Sequence, residues 1–261
     1  MPRVLVMGGT GLAGRAVTVE ALARGHEVVV ASRRVPNEDA AEYVPGVQYR
    51  SADVVTGDGL EEALERADVF IDATNGMGRD ASHVLAFGSQ NLLHTAARFG
   101  VHRAVLLSIA NVDLSAYKYY RAKTAQENNY IASPLETRIL RTTQFHDFVT
   151  SFFRRGARFG LIPAPAKISL QPIAVSDVAR LLVDAAEGRG EADTRTVGGP
   201  RIETSRALAE QWKSATGARG AIVATRLPGA IGASWRAGEN LVPENAIDGL
   251  GYSEWLSSTV A

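Results

Sequence analysis

Tyr119 and Lys123 stand four residues apart in the run Tyr119-Tyr120-Arg121-Ala122-Lys123, so on a helix they share one face. An ammonium beside a phenol stabilises the phenolate. It lowers the tyrosine pKa from its ordinary value of about 10, which makes a proton donor and acceptor usable nearer neutrality. The same lysine has the reach to hold a nucleotide ribose. Exposed helical pairs that do no chemistry share this spacing, so the pair takes its meaning from what surrounds it. Tyr120, three residues from Lys123, becomes the donor if the helix begins later.

A second constellation lies near the start of the chain. Gly8-Gly9-Thr10-Gly11-Leu12-Ala13-Gly14 follows an apolar run and opens a longer amphipathic one. It satisfies Gly-x-x-Gly-x-x-Gly from Gly8 and Gly-x-Gly-x-x-Gly from Gly9. Glycines in such a turn let the backbone approach a pyrophosphate, while the free N–H groups and dipole of the following helix attract the phosphates. Gly8, Thr10, Gly11, Leu12 and Gly14 are therefore the candidate phosphate contacts. No Gly-Lys-Ser/Thr is present at the turn, which disfavours a P-loop triphosphatase.

The residues about 20 positions further on select the dinucleotide, because an NAD site places an acid there for the ribose hydroxyls. This chain has Ser32-Arg33-Arg34 instead, and its next acid is Glu38. Two guanidiniums suit a 2′-phosphate, so the expected cofactor is NADP(H). Asp53, after a third apolar run, suits either the adenine amino group or its own turn. Ala73-Thr74-Asn75, after a fourth, should pass beside the cofactor ribose.

These groups need a scaffold that brings strand ends together. Short apolar runs at Val4–Met7, Val28–Ala31, Val47–Arg50, Val69–Asp72, Ala104–Ser108 and Arg138–Arg141 read as parallel strands buried on both faces. Amphipathic stretches at Gly11–Arg24, Leu60–Arg66, Ser82–Phe99 and Tyr117–Ala132 read as the helices between them. That alternation predicts an α/β doubly wound parallel sheet, the Rossmann fold, over residues 1–143. From 144 to 261 the rhythm loosens around prolines. This part is expected to form a smaller C-terminal substrate lobe with elements that complete the sheet, the whole forming one compact unit.

Composition narrows the classes further. Lys plus Arg and Asp plus Glu both number 28, so no bulk field favours nucleic acid or an anionic membrane. The absence of cysteine removes thiolate catalysis, disulfides and iron–sulfur ligation, and the five histidines form no i, i+4 pair, so no metal site is expected. No apolar run approaches the ~20 residues that span a bilayer and no leader precedes the first strand, which predicts a cytoplasmic protein.

Taken together the motifs resemble the short-chain dehydrogenase/reductase superfamily, and within it the atypical NmrA-like, NAD(P)H-binding group. The resemblance rests on the glycine turn, the Tyr119 to Lys123 run and Ile139-Leu140-Arg141-Thr142-Thr143-Gln144-Phe145. It rests also on Ile173-Ala174-Val175-Ser176-Asp177-Val178-Ala179 and Val197-Gly198-Gly199-Pro200. It implies an NADPH-dependent oxidoreductase in which Tyr119 passes the proton, Lys123 holds the ribose and Ser108 faces the oxygen of a small carbonyl, enone or quinone substrate. Catalytic members usually carry a run of hydroxyl residues after strand five. Here Leu107-Ser108-Ile109-Ala110-Asn111 offers Ser108 alone, with Asn111 as another donor. The resemblance equally implies a second reading, a non-catalytic NADP(H)-binding sensor that presents its surface to a protein partner.

Three further groups have weaker claims. His146 suits a substrate contact or a local hydrogen bond, Arg154, Arg155 and Arg158 suit a solvated helix face or an acidic partner, and Trp212, Trp235 and Trp255 suit lobe packing.

Overall fold

The computed structural model describes residues 2–76, 80–190 and 193–260. Its central feature follows from the five-residue run Arg3–Met7 (β1), whose last four side chains are all buried. A strand covered on both faces needs parallel neighbours and helical layers. β1 pairs in parallel with Glu27–Ser32 (β2) on one side, with Val4 opposite Val28, and with Val69–Asp72 (β4) on the other, with Val4 opposite Val69. Gln48–Ser51 (β3) extends one edge, and Arg103–Ile109 (β5), Glu136–Thr142 (β6) and Thr194–Val197 (β9) extend the other. The order β3-β2-β1-β4-β5-β6-β9 reverses direction between β1 and β4, which makes the sheet doubly wound. One expectation needs correction: β3 is not buried on both faces but largely exposed, because it is the edge strand.

The helices Leu12–Ala23 (α1), Leu60–Leu64 (α2), Gly88–Arg98 (α3) and Lys118–Ile131 (α4) stand between the strands. The segment expected as one helix from Ser82 begins instead with a π turn at His83–Phe87. A Cβ on Gly88 would lie 2.6 Å from Val54 Cγ2, so the start of α3 packs closely on the Val54 side chain. The core of this layer joins Leu5, Met7, Val29, Leu64, Phe70, Leu92 and Tyr130.

Chain contacts divide the protein into two units. The first comprises Met1–Ser108, Lys118–Leu140 and Val178–Arg195; the second comprises Ile109–Tyr117, Arg141–Asp177 and Thr196–Ala261. Where the sequence suggests a single break after 143, the chain passes between the units five times, first at 108/109 and last at 195/196. The second unit has its own core, in which His146–Ala157 (α5), Leu161–Pro165 (β7) and Ser169–Leu170 (β8) meet Ser205–Thr216 (α7) and Tyr252–Val260 (α9). Val149, Phe153, Leu208, Trp212 and Leu256 pack together there. Val175–Ala186 (α6), Glu203–Thr204 (β10), Ala221–Thr225 (β11) and Gly229–Arg236 (α8) complete the elements. β11 pairs in parallel with β7.

Candidate dinucleotide and proton-transfer site

Every residue expected to bind the cofactor or carry the catalysis lies in the first unit. The glycine turn leaves β1 and enters α1, with the Gly8 N–H donating to the Ala31 carbonyl at 2.8 Å and the Gly11 N–H to the Gly8 carbonyl at 3.0 Å. The glycines have different jobs. Gly8 has φ +77°, and a Cβ on it would meet the Ala73 carbonyl oxygen at 2.9 Å, so it permits both the turn and the approach of the segment after β4. A Cβ on Gly14 would stand 2.3 Å from the Gly8 oxygen, so its absence lets the helix pack on its own turn. A Cβ on Gly11 would meet one atom within 4 Å, the Gly8 carbonyl oxygen at 3.3 Å, a tight contact but far less severe than the one at Gly14. Gly11 caps α1 with extended backbone and without a side-chain hydrogen bond. The first N–H groups of the helix, at Leu12, Ala13 and Gly14, have no intrahelical acceptor and form a donor set for an anion.

After β2 the Ser32 hydroxyl donates to the Arg34 carbonyl at 2.6 Å and closes a local turn. This turn presents Arg33 and Arg34 to solvent. Among the described residues neither guanidinium enters an ion pair. Asp53, after β3, accepts the Val55 N–H at 2.8 Å through Oδ1 and caps its own turn. After β4, Ala73 and Thr74 are half-buried and Asn75 is exposed. Their backbone is held by the Thr74 N–H, which donates to Asp72 Oδ1 at 2.8 Å.

The Tyr–Lys pair occupies the start of α4. Tyr119 is half-buried, and its hydroxyl donates to Asn75 Oδ1 at 2.9 Å. Tyr120 is buried, at 7% exposure. Lys123 is also buried, and its Nζ donates to the Leu107 carbonyl and to Gln126 Oε1, both at 2.9 Å. Neither bond goes to Tyr119, so the ammonium and the phenol are held by different partners. Burial pulls the Lys123 pKa down to about 8, opposed by the negative charges of Asp72 and Glu127. Ser108, next to Leu107 at the end of β5, is buried.

Asp72, Gln126 and Tyr130 are parts of this site that the motifs do not reveal. Asp72 ends β4 at 1% exposure, and its Oδ2 accepts from Gln126 Nε2 at 2.9 Å and from the Tyr130 hydroxyl at 2.8 Å. A readable signal exists. Tyr119, Lys123, Gln126 and Tyr130 fall at i, i+4, i+7 and i+11, a polar stripe on the helical face that points inward.

The weaker candidates lie in the second unit, each with a local structural partner or setting. Asn111 Nδ2 donates to the Leu241 carbonyl at 3.2 Å, at a φ of +53°. His146 is fully buried between Tyr252 and Trp255, and its Nε2 lies 2.8 Å from the Leu250 carbonyl. Arg154 and Arg158 edge a cavity of about 570 Å³ whose lining includes Trp212 and Trp255. Among the described residues no group of three His, Asp or Glu side chains could hold a metal ion, and no helix is long and apolar enough to cross a membrane.

Comparison with known proteins places this edge in a family context. A family model described as NAD(P)H-binding matches residues 8–188. Divinyl chlorophyllide a 8-vinyl-reductase of Oryza sativa subsp. indica is 29% identical over 225 residues, covering 76% of this chain and 54% of that protein. The matched stretches span 12% to 54% of the length of the curated relatives. The NADPH-dependent quinone oxidoreductase QOR2 of Escherichia coli, solved with NADPH, superimposes with a TM-score of 0.78 at 15% identity over 98% of this chain and 99% of that one. The UDP-glucose 4-epimerase of Thermus thermophilus, solved with NAD, gives 0.73 at 19% identity over 99% and 97%. At these identities the likeness to the two solved structures is one of fold.

Proposed function

The chain belongs to the NAD(P)H-binding family, and from that premise we propose that it is an NADPH-dependent oxidoreductase of the short-chain dehydrogenase type, NmrA-like in character. When bound, a nicotinamide cofactor would supply hydride for the electrophilic carbon of a small carbonyl, enone or quinone. The chain's own residues bind, orient and move the proton. The N-terminus of α1 receives the pyrophosphate, Arg33 and Arg34 take the 2′-phosphate, and Ala73 to Asn75 line the ribose side. Tyr119 supplies the proton from its hydroxyl, which turns from its Asn75 acceptor to the substrate oxygen. Lys123 offers its remaining N–H to the ribose, since two of its three donors are already used. Ser108 borders the same strand end.

The observation that carries this reading is the buried ammonium of Lys123 at the carboxyl end of β5, one helical turn from a tyrosine hydroxyl. A buried cation is expensive to maintain, and such groups cluster at functional sites. The test is oxidation of NADPH against a panel of quinones, enones, aldehydes and ketones, with Lys123→Ala in parallel. Turnover by the natural chain that falls with the variant supports the reading.

The absence of a hydroxyl run after Ser108 favours the second reading, a redox sensor that binds NADP(H) and no substrate. An inactive panel with intact nucleotide binding would move the assignment to it.

A further inference from the structure

Lys123 does not stand alone beneath the strand ends. Its Nζ donates to Gln126 Oε1 at 2.9 Å, Gln126 Nε2 donates to Asp72 Oδ2 at 2.9 Å, and the Tyr130 hydroxyl donates to the same oxygen at 2.8 Å. All four side chains are nearly or fully excluded from solvent. Only one orientation of the Gln126 amide satisfies both neighbours, because its oxygen must face the ammonium and its nitrogen the carboxylate. The result is an ammonium–amide–carboxylate chain, in which the amide is polarised from both ends.

We infer that Asp72 and Gln126 are positioning residues that hold Lys123 in its charged form and fix the direction of its remaining N–H. The inference rests on the reading of Lys123 as the nucleotide-facing lysine. Burial alone drives a lysine towards neutrality, so a cation in this place needs a fixed counter-charge and fixed acceptors. Asp72, from β4, supplies the charge. The Leu107 carbonyl, from β5, supplies the second acceptor, and on α4 itself Glu127 adds a further negative charge. Tyr130 is also on α4. Burial and the neighbouring Asp72 hold its phenol well above its ordinary value, so it remains a neutral donor to the carboxylate.

The experiment reads the lysine directly. The chain has four lysines, Lys118, Lys123, Lys167 and Lys213, so a protein labelled with carbon-13 at lysine Cε gives four signals, and Lys123→Arg identifies the one of interest. In the natural chain the Lys123 signal should titrate near pH 8. In Asp72→Asn the midpoint should fall by about one pH unit or more, roughly a tenfold loss in the protonation equilibrium, and in Gln126→Met it should fall in the same direction. NADPH affinity should follow: close to the natural value at pH 6, about fivefold weaker or more at pH 8. A residue with a merely structural role would weaken binding equally at both pH values. If Asp72→Asn does not fold, Gln126→Met carries the test with the carboxylate left in place. Midpoints unchanged in the folded variants would overturn the inference. The titration needs no nucleotide, so a protein that fails to bind NADPH contradicts the proposed function while leaving the lysine result readable.

Discussion

The Tyr119 hydroxyl donates to Asn75 Oδ1 at 2.9 Å, joining the first turn of α4 to the turn that follows β4. The two residues are 44 apart in sequence, and the bond exists because α4 and β4 bring their ends to the same edge of the sheet. It gives the Tyr119 phenol a fixed acceptor at the strand ends, whereas the ring of Tyr120, 6.2 Å from that of Tyr119, is buried.

That difference in burial makes the proton donor testable. Tyr119→Phe should keep NADPH affinity within about twofold while turnover falls by roughly 10²- to 10⁴-fold, the usual worth of general acid catalysis. Tyr120→Phe should retain activity. Steady-state kinetics on the best substrate of the panel decides between them, and full activity in Tyr119→Phe with loss in Tyr120→Phe would reassign the acid.

The glycines of the turn should respond differently to a side chain. Gly11→Val meets a single tight contact, the Gly8 oxygen at 3.3 Å, so it should abolish NADPH binding at a cost to stability of about 1 kcal/mol or somewhat more, that of a poor cap with a small backbone adjustment. Gly14→Val should prevent native folding, since even its Cβ would fall 2.3 Å from the Gly8 oxygen. Circular dichroism with nucleotide titration measures both. Unchanged affinity in Gly11→Val would reduce the motif to a turn.

This contrast bears on what the residues reveal before a structure exists. The doubly wound sheet is legible because β1, β2, β4 and β5 are continuous apolar runs, which need cover on both faces. The glycine turn is legible because its spacing encodes a backbone path. β3 misleads, since its apolar start at Val47 resembles a buried strand while its place at the sheet edge depends on partners far away in sequence. Asp72 and Gln126 escape for a similar reason. An aspartate at the end of a strand usually caps a turn, and this one also caps the Thr74 N–H, so nothing local distinguishes its second role. Lys123 is found by its spacing from Tyr119, but its partners, Leu107 and Gln126, require the fold.

His146 gives the second unit a sensitivity to acid. Burial lowers its pKa below the ordinary 6.5, against the opposing Leu250 hydrogen bond and the charge of Asp177. Between the folded and unfolded values the folded chain binds fewer protons, so stability rises with pH through that window and is lost as pH falls below about 6.5. Urea unfolding at about pH 7.5 and about pH 5.5 should show a lower midpoint at the acidic value, and His146→Gln should flatten the difference. The carboxylates with lowered values, Glu136 and Glu187, act below 4.5 and do not contribute in this range. A natural chain and variant with the same pH dependence would contradict the assignment.

The most direct test of the account is a fluorescence titration of the unmodified chain with NADPH and with NADH at one ionic strength. Arg33 and Arg34 stand exposed and in no ion pair among the described residues, at the end of the strand where an acid would serve NADH. Charge-assisted hydrogen bonds to a phosphate contribute about 1.5 to 3 kcal/mol each, so with one from each arginine NADPH should bind roughly 10²- to 10⁴-fold more tightly, and Arg33→Ala with Arg34→Ala should remove most of that difference. Equal affinity of the unmodified chain for the two nucleotides would contradict the account.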